Sequence, residues 1–158
     1  AQIMPETYKP TKLFTLEEAN ASLPLVKAIV GDIVKLSQEL IERARRLEQL
    51  NSARREREQG DLYGEELIQI EEELAKDGKR LKDFIDELLE LGVEPKSAPE
   101  GLVDFPTMLD GRLVYLCWKH DEPEVLFWHE LDAGFAGRQP MTIGSGATGE
   151  PGEAEDQV

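Results

Sequence analysis

The chain has 158 residues, 40% hydrophobic and 32% charged, with a formal net charge of -15. That length supplies one domain with one modest core, no run approaches the roughly 18–20 apolar residues of a membrane span, and the negative charge repels nucleic acid and anionic membranes before any local contact forms. The single cysteine, Cys117, makes no intramolecular disulfide and agrees with a reducing compartment; residues 1–12 lack the basic region and apolar stretch of a secretory signal, so a cytoplasmic address is expected.

Thr15-Leu16-Glu17-Glu18 is a capping box, in which the threonine hydroxyl and the Glu18 carboxylate satisfy each other's amides at a helix start. Pro24 suits a first helical turn, so a short helix over 16–22 is expected to hand over near Ser22 to a long one over 24–58. In that long helix Leu25, Ile29, Ile33, Leu36, Leu40, Ala44, Leu47 and Leu50 recur at steps of three and four and form one stripe. A second row, Val26, Val30, Val34 and Ile41, flanks the first half only. The base of the helix therefore needs cover from two directions, while its far end needs only a returning helix. Gln59-Gly60-Asp61 and Gly64 supply the reversal, and Leu67, Ile70, Leu74, Leu81, Ile85 and Leu88 repeat the stripe over 65–91 until Gly92 ends it. At ~1.5 Å per residue the arms are ~50 and ~40 Å long and overlap along most of their length. Gly78 interrupts the stripe.

From Gly101 the period changes to two. Strands over 102–108, 112–120 and 124–131, joined by Asp110-Gly111 and by a turn around Glu122-Pro123, read as an antiparallel meander. The Asp-Gly turn sets Phe105 opposite Leu116 and Asp104 opposite Cys117. A turn centred on Glu122-Pro123 sets Leu116 opposite His129 and Cys117 opposite Trp128. Alternation then gives an inner face of Val103, Phe105, Val114, Leu116, Trp118, Val125, Phe127, His129 and Leu131, and an outer face that includes Asp104, Tyr115, Cys117, Trp128 and Glu130. The inner face is the cover the helix base requires. The fold expected is α+β: a helical hairpin over 16–91, packed at its base on a three-stranded meander over 101–131. A glycine-rich segment over 132–140 and a disordered acidic tail over 141–158 follow.

Several groups of residues can carry chemistry. Gly134 and Gly137 bracket Phe135 and Ala136 ahead of Arg138 and Gln139, a composition suited to a sharp turn with exposed amides that binds an anion. With His129 and Asp132 they form one candidate ligand site; the plainer alternative has Phe135 filling an apolar gap and Arg138 pairing with a local carboxylate. Asp104, Cys117 and Glu130 share the outer face and form the candidate metal set, with His129 on the opposite face in this register. Tyr115 and Trp128 on the outer face, and Arg54, Arg55 and Arg57 near the hairpin tip, are candidate interaction surfaces. The arginines alternate with glutamates, a pattern that more often marks a solvated helical face.

Val103-Asp104-Phe105-Pro106, Leu116-Cys117-Trp118, Trp128-His129-Glu130 and Gly134-Phe135-Ala136-Gly137-Arg138-Gln139-Pro140, preceded by Lys12-Leu13-Phe14-Thr15-Leu16-Glu17-Glu18-Ala19-Asn20, resemble the domain-of-unknown-function 2203 family of bacterial proteins over about residues 12–140. The glycine-phenylalanine-alanine-glycine-arginine run is the specific part. The resemblance implies no activity, substrate or cofactor. The leading functional reading is a non-enzymatic interaction or assembly module, a homodimer through the hairpin or the Trp128 face, with its protein partner unidentified. The alternative is a protein that binds a small ligand, anion or metal around His129, Asp132 and Arg138. RNA contact by the arginine tip is a third reading.

Overall fold

The computed structural model describes residues 8–57, 64–141 and 147–148, leaving aside the side chains of residues 54–57 and 147–148. Two helices, α1 (Leu16–Arg57) and α2 (Gly64–Glu90), precede strands β1 (Glu94–Ser97), β2 (Leu102–Leu109), β3 (Arg112–Lys119), β4 (Phe127–His129), β5 (Gln139–Pro140) and β6 (Ala147–Thr148). The sheet is antiparallel in the order β1-β2-β3-β4-β5, with β6 pairing β2. It is an α+β fold with a helical hairpin, as the periodicities indicate. The sheet is wider than the expected meander because β1, β5 and β6 add to it.

The capping box forms as read: the Glu18 amide donates to Thr15 Oγ1 and the Thr15 amide donates to Glu18 Oε1, both at 3.0 Å. The expected break near Ser22 does not occur. Helix α1 runs unbroken through Pro24, because the residues flanking the proline are anchored: Leu23 and Val26 are buried in the core. A single missing amide, worth ~3 kcal/mol in an isolated helix interior, is outweighed by that burial. Gly92 ends α2 with φ 88°, and the Val93 and Gly92 amides donate to the carbonyls of Leu88 and Leu89, the paired bonds of a Schellman terminus.

Val26, Ile29, Val30, Ile33 and Leu88 pack against Val103, Phe105, Leu116 and Trp118 of the sheet, forming the main core. The doubled apolar base of α1 is thus covered by α2 on one side and the sheet on the other. Leu25 and Ile41, assigned to the stripes, remain exposed. A second, smaller cluster of Leu50, Leu67 and Ile70 joins the outer halves of the helices, and between the clusters Arg43 forms an ion pair with the largely buried Asp77. Gly78 lies next to that pair with open space where a Cβ would stand, so no close helix approach explains it.

Strand β2 pairs with β3 in the expected register, Phe105 opposite Leu116 and Asp104 opposite Cys117. Asp110 and Gly111 both have positive φ, as a two-residue turn of this hand requires. Pro106 is accommodated because β1 meets β2 only as far as Asp104 and β6 only from Met108; the free Pro106 carbonyl accepts the Phe14 amide at 2.7 Å. Ala147–Thr148 were expected to be part of a disordered tail; here they pair with β2. Residues 142–146 and 149–158 of that tail, and the reversal at 58–63, lie outside the described residues.

The pairing of β3 with β4 corrects the sequence reading. Tyr115 lies opposite His129, Leu116 opposite Trp128 and Cys117 opposite Phe127, one residue away from the expected register. No tight turn at Glu122-Pro123 dictates it. The chain bends at Lys119–Glu122, where the Glu122 amide donates to the Lys119 carbonyl and the Trp118 indole donates to the Glu122 carbonyl. Val125 then leaves the strand path and inserts into the core, its amide donating to Asn20 Oδ1 and its carbonyl accepting from Asn20 Nδ2. Asn20 on α1 takes the place of a neighbouring strand there. Because side chains alternate, a slip of one residue turns every β4 side chain to the other face. Trp128 faces the core and packs against it, and His129 faces outward beside Tyr115 and Cys117.

Candidate functional site

The outer face of the sheet is buried yet polar: Asp104, Tyr115, Cys117 and His129 are each 2% exposed. Asp104 from β2, Cys117 from β3 and His129 from β4 are neighbours across three adjacent strands. Their candidate ligand atoms, a carboxylate oxygen, the thiol sulfur and a ring nitrogen, lie within 4.8 Å of one another. His129 Nε2 is 3.0 and 3.1 Å from the two Asp104 oxygens, and Nδ1 is 2.7 Å from the Glu130 carbonyl. A carbonyl only accepts, so Nδ1 carries a hydrogen and Nε2 is the nitrogen that looks into the cluster.

The electrostatics follow from that geometry. Burial alone favours the neutral imidazole, but the Asp104 hydrogen bond, the Asp104 charge and the Glu130 carbonyl outweigh it and raise the His129 pKa above its ordinary value. When His129 is protonated, it and Asp104 form a buried ion pair. Burial, and next the Asp104 charge, push the Cys117 thiol up to about 12. Cys117 is therefore a thiol at neutral pH, unsuited to act as a free nucleophile.

A partly enclosed cavity of about 150 Å³ opens on this cluster, with Leu102, Leu131, Phe135, Tyr115 and Lys96 around the Asp104, Cys117 and His129 floor. On one side Tyr115 donates to Glu94 Oε1 at 2.8 Å, Tyr8 donates to Glu94 Oε2 at 2.5 Å, and Lys96 Nζ lies 3.1 Å from Glu94 Oε1 and 4.5 Å above the Tyr115 ring. Burial raises the Tyr8 hydroxyl to about 12, with the Glu94 bond adding to it. Burial opposes ionisation of Glu94 too, yet the bonds from Tyr8, Tyr115 and Lys96 prevail and hold its carboxyl below the ordinary range.

On the other side stands the glycine-rich segment. Gly134 has φ 70° and ψ -168°, a conformation essentially confined to glycine, and a Cβ on Gly137 would stand 2.7 Å from that of Ala133. The segment folds into a short 3-10 turn over Phe135–Gly137, in which the Gly137 and Arg138 amides donate to the carbonyls of Gly134 and Phe135. Those amides are used internally and do not face an anion. Arg138 pairs with Glu122 at 2.7 Å between the rings of Phe127 and Phe135, whose centroids lie 4.0 and 4.6 Å from its guanidinium carbon. The Arg138–carboxylate pair of the plainer alternative is present, whereas Phe135 stays 44% exposed instead of filling an apolar gap.

Of the six residues assigned to a ligand site, His129 and Gly134 line the cavity, whereas Asp132, Gly137, Arg138 and Gln139 stand outside its lining. Of the metal set, Asp104 and Cys117 come together with His129, while Glu130 turns away to pair with Arg112. The β4 register alone exchanges the two. Tyr115 is buried rather than presented to a partner, and Trp128 is half-buried against the core. Arg54, Arg55 and Arg57 have side chains outside the described residues. Lys96, Glu94 and Tyr8 escaped the sequence reading because Glu94-Pro95-Lys96-Ser97 has no apolar alternation; Gly92 ending a helix just before a proline was the one available signal of an edge strand.

The family described as an uncharacterized conserved protein (DUF2203) matches residues 12–141. No curated protein and no solved structure matches. Among the described residues, no helix is long and apolar enough to cross a membrane.

Proposed function

The chain belongs to the DUF2203 family, whose description names no activity, and we propose from the geometry of its outer face that it is a metal-binding protein that holds one zinc-class ion on Asp104, Cys117 and His129. The observation that carries this reading is the convergence of a carboxylate, a thiol and an imidazole nitrogen within 4.8 Å, with the far side of the imidazole already fixed by the Glu130 carbonyl. That second contact is how metal-binding histidines are oriented. One sulfur, one nitrogen and one oxygen donor suit zinc and its neighbours better than the all-oxygen shells of magnesium or calcium. Binding of the ion would release the thiol proton, and the second proton of a charged imidazole, to solvent, with Asp104, Cys117 and His129 holding it. Isothermal titration of the metal-free protein with zinc tests the proposal. One equivalent is expected, with binding lost in Cys117→Ser and in His129→Ala and kept in Glu130→Ala. Absence of binding in the folded wild type overturns it.

A second reading, an assembly module built on the projecting hairpin, is supported by Ile41 and Ile68, which stay 44% and 59% exposed on the arms. A homodimer is the simplest assembly of this kind. Ile41→Glu combined with Ile68→Glu charges both exposed positions and is expected to abolish self-association in sedimentation experiments while circular dichroism shows the fold kept. Unchanged sedimentation behaviour rules this reading out.

A further inference from the structure

We infer that the metal centre keeps one coordination position open and that this position takes a small monocarboxylate, bound through one oxygen to the metal and through the other to Lys96. The inference rests on the metal reading and extends it to the ligand. Among the described residues the cluster brings together three ligand atoms from His, Cys, Asp and Glu side chains. Three protein ligands with a vacant fourth position distinguish zinc sites that bind an exogenous molecule from closed structural ones. The vacancy faces the cavity, since Asp104, Cys117 and His129 all line it.

The cavity sets the size and the chemistry of the occupant. At about 150 Å³ it equals in volume a cavity that holds benzene, so it admits a molecule of about six non-hydrogen atoms. Its walls away from the metal are the side chains of Leu102, Leu131 and Phe135, with the Tyr115 ring beside them, which suits a short apolar body. Among the described residues lining the cavity, Lys96 is the one lysine or arginine, and its ammonium rests above the Tyr115 ring and on Glu94. Glu94 also accepts hydrogen bonds from Tyr8 and Tyr115, so it stays satisfied when Lys96 turns to a ligand. The carboxylate charge is matched by Lys96, and the two-point contact discriminates against alcohols and amines of the same size.

The test uses the full chain loaded with cobalt(II), whose visible absorption reports the ligands bound to it. Sodium butyrate is added, with butanol and butylammonium chloride as size-matched controls. Butyrate is expected to shift the cobalt bands saturably while the two controls leave them unchanged, and Lys96→Met is expected to weaken butyrate binding about tenfold, the scale of one charge-assisted hydrogen bond. Circular dichroism verifies that Lys96→Met is folded, as its partly exposed position allows. Cobalt bands that appear but do not respond to butyrate overturn this inference and leave the metal reading standing. An equal butyrate affinity in Lys96→Met removes the two-point contact. Cobalt that fails to bind the folded wild type refutes the metal reading, and this one with it.

Discussion

The two faces of the sheet are equally buried and differ in what buries them. On the inner face Val103, Phe105, Leu116 and Trp118 meet the doubled apolar base of α1, and their burial needs no partner other than packing. On the outer face Asp104, Tyr115, Cys117 and His129 are just as inaccessible, but each polar atom needs a specific partner because desolvation of an unpaired group is costly. The inner face thus tolerates conservative apolar exchange, whereas the outer face is a set of interlocked contacts in which one change leaves another group stranded. The contrast teaches that alternation in a strand separates two faces without telling which of them is solvated.

The largest effect is expected on the inner face. Trp118→Ala removes a fully buried indole and should lower unfolding free energy by about 3–5 kcal/mol in urea titrations, with zinc binding lost only as far as folding is lost. A loss below about 1 kcal/mol would mean that the sheet and hairpin do not share a core.

Asp104→Asn should cost less in the metal-free protein, about 1.5–3 kcal/mol, the range for a hydrogen bond to a charged group. It should also change the pH dependence, a signature the apolar face lacks. The His129 pKa is raised in the folded state, so the pair's contribution is fully present below the unfolded value near 6.5. It is lost as pH rises through the higher folded value. Urea midpoints of the metal-free wild type measured from about pH 6 upward should therefore fall relative to those of Asp104→Asn, and parallel curves would contradict the buried pair. Zinc affinity should run the opposite way, rising with pH because metal binding displaces a proton from Cys117, and one from protonated His129, into solvent.

The smallest expected effect concerns the residue that the sequence reading placed in the metal set. Glu130→Ala breaks a partly exposed pair with Arg112 and should change stability by no more than about 1 kcal/mol, with zinc stoichiometry unaltered. Loss of zinc in this variant would restore the other β4 register.

The hairpin, its seam and the β2–β3 register were legible because each rests on a local signal: the Thr15–Glu18 capping box, helical spacing over two long stretches, and a two-residue turn at Asp110-Gly111 that fixes pairing by geometry. Strand β4 was not. Its position depends on Asn20, which lies more than a hundred residues away in sequence and takes both backbone groups of Val125. No local pattern encodes such a contact. The consequence reached the outer face directly: Asp104 and Cys117 lie on it as the β2–β3 register requires, and the slip in β4 brings His129 beside them in place of Glu130. Pro24 misled for a related reason: local propensity favoured a break, and tertiary burial of Leu23 and Val26 prevailed.

X-ray absorption at the zinc edge of the metal-loaded protein tests the central claim most directly. One sulfur neighbour at about 2.3 Å, with nitrogen and oxygen donors completing the shell and the sulfur signal absent in Cys117→Ser, is the result expected from a centre formed by Asp104, Cys117 and His129. A first shell without sulfur, or one with the imidazole signal intact in His129→Ala, would place the metal elsewhere and contradict the β4 register as the origin of the site.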